Sequence, residues 1–128
     1  TAAAAEAARA AGEERFRAIF DHAAMGVVLH DRDGFVLEAN PAFRRLVGYS
    51  IEELRTMRAS DLSPAEDGAV TREPVRALMA GACERVEVEK RLRHRDGTVR
   101  VCELTVSRVG APGEGQGLVG MVQDVTEH

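Results

Sequence analysis

The sequence predicts an α+β domain: five strands in one antiparallel sheet, short helices over one face of it, and a helix flanking the N-terminus. Three observations predict this. Two Asp-Gly turns, Asp31-Arg32-Asp33-Gly34 and His94-Arg95-Asp96-Gly97, each stand between strand-like runs. Residues 85–93 alternate apolar and charged side chains, the period of a half-buried strand. Between those two regions, the stretch from Asn40 to Ala80 carries a succession of helix-start signals.

Taken in order, residues 1–21 read as helix. Ala2 to Ala11 has high helix propensity, and Phe16, Ile19, Phe20 and Ala23 then share one face. The first half lacks large apolar side chains, so 1–12 is read as a linker helix and 13–128 as the domain proper. Gly26–His30 is a Val- and Leu-rich strand, Asp31–Gly34 its hairpin turn, and Phe35–Glu38 the returning strand. Asn40 has N-cap chemistry with Pro41 at the first helical position. Phe43, Leu46 and Val47 form that helix's apolar face, and Gly48 ends it.

Ser50-Ile51-Glu52-Glu53 is a capping box opening a short helix with Ile51 and Leu54. Ser63-Pro64-Ala65-Glu66 reads as a second box, starting a helix that runs to about Ala80 with Val70, Val75, Leu78 and Met79 as its apolar positions. Pro74 predicts a break or kink there, since an interior proline costs about 3 kcal/mol. In 85–93, Val86, Val88 and Leu92 fall on one face and Glu87, Glu89, Arg91 and Arg93 on the other. Thr98–Val109 is a longer strand, 110–117 a flexible Gly-rich loop, and Leu118–Val125 the last strand.

The 128 residues suit one domain with a real core. Hydrophobic content of 45% and charged content of 30% are ordinary for a globular chain, and a net charge of −4 argues against nucleic-acid binding. No apolar run reaches the ~20 residues a bilayer needs, so no membrane contact is expected of this stretch. Glu6 and Arg9 rule out a signal peptide in the Ala-rich start. The chain opens on Thr1 rather than Met and is read as part of a longer protein. Two cysteines, Cys83 and Cys102, are too few for a disulfide framework and suit a reduced, cytoplasmic setting.

The order of elements and its punctuation resembles the PAS family of sensor domains. The residues that carry the resemblance are the turn Asp31–Gly34, the junction Glu38-Ala39-Asn40-Pro41-Ala42, the joint Gly48-Tyr49-Ser50 and the run Glu52-Glu53-Leu54. Arg95-Asp96-Gly97 before the long strand and Asp124-Val125-Thr126 at the end complete the series, over roughly residues 14–127. The resemblance implies a cavity enclosed by the helices and the inner sheet face. Its expected wall is Leu29, Phe43, Leu46, Val47, Leu54, Met57, Leu78, Val88, Leu92, Cys102, Leu104, Val106 and Val122. Apolar periodicity does not separate such a pocket from a filled core. The resemblance also implies an exit motif, in which Asp124 or Thr126 caps an output helix.

Other motifs carry bland readings. His94-Arg95-Asp96 matches the start of a kinase catalytic loop, but Gly97 follows and the chain is too short for that fold. Gly115 to Gly120 fits G-x-G-x-x-G but leads into a β-branched run rather than a helix. None of His22, His30, His94 and His128 falls in the Val70–Ala80 region where haem-binding relatives place their iron ligand, so haem is disfavoured; His22 is the one to inspect first. The flavin photosensors' Asn-Cys-Arg motif is missing from Met57–Leu62, which disfavours flavin. No Ser-His-Asp, Cys-His or metal-spaced set is readable, so neither a metal nor an enzymatic activity is expected.

The functional expectation is a cytoplasmic sensory or signal-relay domain of a larger bacterial signalling protein. Its input is a small, largely apolar ligand or a change passed along the N-terminal helix, and it passes a change to an output domain of the same polypeptide. Homodimerisation is expected through Phe16, Ile19, Phe20, Val119 and Met121. Two alternatives stay open: a ligand-free homodimerisation or interaction module, and a thiol-dependent enzyme or redox sensor built on Cys102 near Arg100.

Overall fold

The computed structural model describes residues 1–109 and 117–126. The expected Gly-rich loop therefore lies almost wholly outside the described residues, as do the first residues of the G-x-G-x-x-G match and His128. Five strands form one antiparallel sheet: β1 (Gly26–His30), β2 (Val36–Ala39), β3 (Arg85–Arg93), β4 (Val99–Arg108) and β5 (Leu118–Asp124), in the order β2-β1-β5-β4-β3. The last strand thus enters the middle of the sheet and joins its two hairpins.

Both hairpin turns form as their local chemistry dictates. Asp31 accepts the Gly34 amide through its carbonyl, His94 does the same for Gly97, and both glycines sit at φ 93°, where a Cβ would be strained. Asp31 Oδ1 also accepts from the Asp33 and Phe35 amides at 2.9 Å. Phe35 stays outside β2, in an isolated bridge to Arg58 whose guanidinium covers its ring at 4.7 Å. The second turn is packed against the chain from Val47 to Tyr49: the Arg95 amide donates to the Val47 carbonyl at 2.9 Å, and its guanidinium lies 4.9 Å from the Tyr49 ring centroid.

The helices follow their caps, with one exception. α1 (Ala2–His22) runs unbroken past residue 12; Phe20 is buried, while Phe16 and Ile19 stay on the surface. Arg17 on α1 reaches Glu38 on β2, which Arg55 also holds, at 3.0 and 2.6 Å. α2 (Pro41–Val47) is capped by Asn40 and closed by Gly48 at φ 79°. A Cβ on Gly48 would meet the His94 ring at 2.4 Å, so glycine is required there twice over. α3 (Ile51–Leu54) shows the full Ser50–Glu53 capping box.

The second predicted capping box does not form. Pro64 takes an extended ψ of 144°, Ala65–Asp67 make a 3-10 turn, and α4 begins only at Gly68 and runs to Met79. The acids are drawn elsewhere: Glu66 and Asp67 both bind Arg91 on β3, leaving the Ser63 hydroxyl buried without a partner. The predicted break at Pro74 is also absent, since α4 continues through it. The carbonyl that loses its amide partner belongs to Val70, which is 45% exposed and sits where water can replace the lost bond.

Asn40 joins β1 to α2. Its side chain is fully buried; Oδ1 accepts from the Val27 and Phe43 amides at 2.8 and 3.0 Å, and Nδ2 donates to the Met25 carbonyl at 3.0 Å. Asn40→Ala leaves three polar backbone groups unpaired, so denaturant unfolding is expected to show a loss of about 3 kcal/mol. Asn40→Asp keeps the acceptor but not the donor and falls between. A loss for Asn40→Ala of less than about 1 kcal/mol would contradict this role.

Candidate functional site

The inner sheet face carries two separate packed clusters rather than one. The first gathers Val28, Phe43, Val47, Leu54, Leu62, Leu92, Cys102 and Val122 under α2 and α3. The second gathers Leu78, Val86, Val106 and Leu118 under α4, with Val75 and Met79 against them. Leu104 touches both. Between the clusters lies a cavity of about 520 Å³, within the size range of small-molecule sites.

Of the expected wall, Phe43, Leu92, Leu104, Val106 and Val122 line this cavity. Val47, Leu54, Leu78 and Cys102 are fully buried in the clusters beside it, and Leu46, Met57 and Val88 pack against those clusters. On β1 it is Val28 and His30 that line the cavity; strand alternation turns Leu29 to the opposite face. The α4 side contributes Gly68, Thr71, Val75 and Met79, and exposed Arg32, Asp33, Ser60 and Arg72 form the rim.

Two polar lining residues escape a reading of apolar periodicity. Lys90 on β3 lies in phase with Val88 and Leu92, so the same alternation that assigns the strand puts it inside. Burial pushes its ammonium below the ordinary lysine value, and the charge of Asp67 opposes that shift without reversing it. Ser63, 6% exposed, is the other. Among the described residues no group of three His, Cys, Asp or Glu side chains is placed to hold a metal ion.

A family model of the PAS fold matches residues 14–125. The chain belongs to the PAS family. Relatives include the sensor histidine kinase TmoS of Ectopseudomonas mendocina, 28% identical over 121 residues. The probable diguanylate cyclase DgcE of Escherichia coli (strain K12) is 31% identical over 116. These alignments cover 91% and 90% of this chain but only 12% and 10% of the relatives, so the chain spans about a tenth of their length. Among solved structures, a PAS domain of a protein from Colwellia psychrerythraea superposes with a TM-score of 0.80 at 23% identity, covering 90% of this chain and 98% of that one. The domain is thus a PAS sensory module, homologous to the sensor regions of kinases and cyclases.

The expected exit residues are tied to the sheet. Thr126 Oγ1 accepts from the Val101 amide at 3.0 Å, the Val125 amide donates to the Val101 carbonyl at 2.8 Å, and Asp124 Oδ1 accepts from the Thr126 amide at 2.9 Å. Arg100 pairs with Asp124 at 3.4 Å. Val101 on β4 is therefore bonded directly to both Val125 and Thr126. Among the described residues no helix is long and apolar enough to cross a membrane.

Cys102 is a poor nucleophile here. Burial, then the Asp124 charge, push its thiol up to about 12, so the thiolate that redox chemistry needs is scarce. The expected dimer residues divide: Phe20 is buried within the chain, whereas Ile19 is 72% and Met121 45% exposed, and Val119 shares the outer face with Met121.

Asp67 holds α4 to the sheet. Its Oδ2 accepts from the Arg91 amide at 2.9 Å, and Oδ1 from Arg91 Nη2 at 2.8 Å. Side-chain and then backbone hydrogen bonds from Arg91 keep this carboxyl below the usual aspartate range. Its stabilisation is therefore complete above the unfolded value of about 3.9 and is lost as the pH falls through the lower folded value. Chemical denaturation from pH 7 to pH 3 is expected to show a shallower acid-side decline in Asp67→Asn than in wild type. Parallel curves would contradict the assignment.

Proposed function

We propose that this PAS domain senses a small molecule held in the cavity between the sheet and α4. It serves as the input module of a larger cytoplasmic signalling protein. The observation that carries this reading is the largely apolar cleft of about 520 Å³ between two packed clusters, a concave site of the size and lining that small molecules occupy. A ligand there touches β3, β4, β5 and α4 together, and β4 is bonded to the exit residues Asp124 to Thr126. Binding shifts the output only by the ligand's difference in affinity between two arrangements of these elements. The output domain belongs to the same polypeptide, a reading supported by relatives about ten times as long as the matched stretch.

A library of small apolar and amphipathic molecules tests the reading by thermal shift. Members that bind are expected to raise the melting temperature by roughly 3 °C or more at saturating concentration. Val75→Phe, which drives a ring into the cavity from α4, is expected to fold and to lose more than half of that shift. No stabilising compound, or a full shift in the filled variant, would contradict the cavity as the sensing site.

A second reading, homodimerisation, is favoured by the outer surface. Val27, Leu29, Val119 and Met121 share that sheet face, and Phe16 and Ile19 are exposed on α1. These residues are the proposed contact between two copies. Light scattering across a concentration series is expected to show Met121→Glu weakening the dimer by about tenfold or more, or ~1.4 kcal/mol. An unchanged association curve would remove this face from the interface.

A further inference from the structure

The chain has one lysine, and it stands where the sheet otherwise places apolar side chains. Lys90 lies two residues from Val88 and from Leu92, directly opposite the fully buried Cys102 on β4. Side chains two apart on a strand share a face, and Lys90 accordingly lines the cavity. Its ammonium makes no hydrogen bond or ion pair among the described residues, while Asp67, the acid whose charge it feels, is held by the amide and guanidinium of Arg91. Among the described lining residues the one carboxylate is Asp33, exposed at the rim beside the cations Arg32 and Arg72.

A second, independent feature points the same way. Ser63 lines the same cavity, is more than nine-tenths buried, and its hydroxyl has no partner. Buried polar groups in folded proteins are paired with few exceptions. A cation and a hydroxyl lining one cavity, both free, match a ligand end that carries one negative charge and accepts hydrogen bonds.

The geometry points to a small organic monocarboxylate with an apolar body as the ligand of this cavity, its carboxylate on Lys90 Nζ and Ser63 Oγ and its hydrocarbon part along Val28, Phe43, Leu104 and Val122. The inference rests on the cavity being the sensing site and names the class of molecule sensed. One interior cation neutralises one charge; a second carboxylate held against the apolar wall, away from the rim cations Arg32 and Arg72, would stay uncompensated. The described lining holds one benzene-type ring, Phe43, besides the His30 imidazole, which leaves little to sandwich a broad planar cofactor.

Octanoate and 1-octanol, equal in chain length and different in charge, separate the possibilities by calorimetry and thermal shift. Wild type is expected to bind octanoate about tenfold or more tighter than octanol, the range of one charge-assisted contact. Lys90→Met, similar in length, is expected to keep its circular dichroism spectrum, bind octanol within about twofold of wild type, and lose the preference for octanoate. Lys90→Arg is expected to retain most of the preference, which a purely structural role for Lys90 would not produce. Octanol binding as tightly as octanoate, or Lys90→Met binding octanoate like wild type, overturns the inference while the sensing cavity stands. Failure of both probes in wild type overturns the two together.

Discussion

The Asp67–Arg91 pair is the constraint on which the cavity depends. Arg91 lies on β3, an edge strand, where the outward amide has no neighbouring strand to bond. Asp67 supplies that missing acceptor and binds the guanidinium of the same residue. This anchors the start of α4 to the sheet edge while Leu78, near its far end, packs on Val86, Val106 and Leu118. The helix is thereby held at both ends across the inner face, and the space beneath its middle stays unfilled. A polar pair at an edge strand also blunts the tendency of such strands to pair with other chains.

The same interaction sets the charge of the interior. Strand alternation sends Arg91 outward to Asp67 and its neighbour Lys90 inward. The carboxylate whose charge reaches Lys90 is thus committed to Arg91 at the strand edge. Desolvation then acts on an ammonium with no partner among the described residues, a costly arrangement for a fold to keep unless something offsets it. The apolar clusters on either side supply the dry walls, and the buried thiol of Cys102 across the ladder adds bulk without adding charge.

How much of this is legible in the sequence depends on the range of the forces involved. The two Asp-Gly turns, the Asn40-Pro41 start and the Ser50–Glu53 box are decided within four residues, and each forms as its local chemistry predicts. Ser63–Glu66 has the same local appearance and fails. Its acids are claimed by Arg91, some 25 residues on, and no local pattern reports that competitor. Pro74 is tolerated because α4 is solvated on that side, a fact of tertiary placement. In β1, Val28 and Leu29 are equally apolar, so composition does not say which faces in; pairing with β5 decides it. Lys90 is the instructive case. Alternation over 85–93 already places it inside, but a search for apolar residues passes over the single charged one among them.

The most direct measurement of the central claim, that the inner face presents a poorly hydrated cation to a ligand cavity, uses the uniqueness of that lysine. Lysine labelled with 13C marks one residue of this chain, so its Cε resonance followed against pH gives the titration of Lys90 alone. The account predicts a midpoint below the ordinary lysine value of about 10.4, moving upward when a monocarboxylate is added. An ordinary midpoint that ignores the carboxylate would place Lys90 in water and contradict the account.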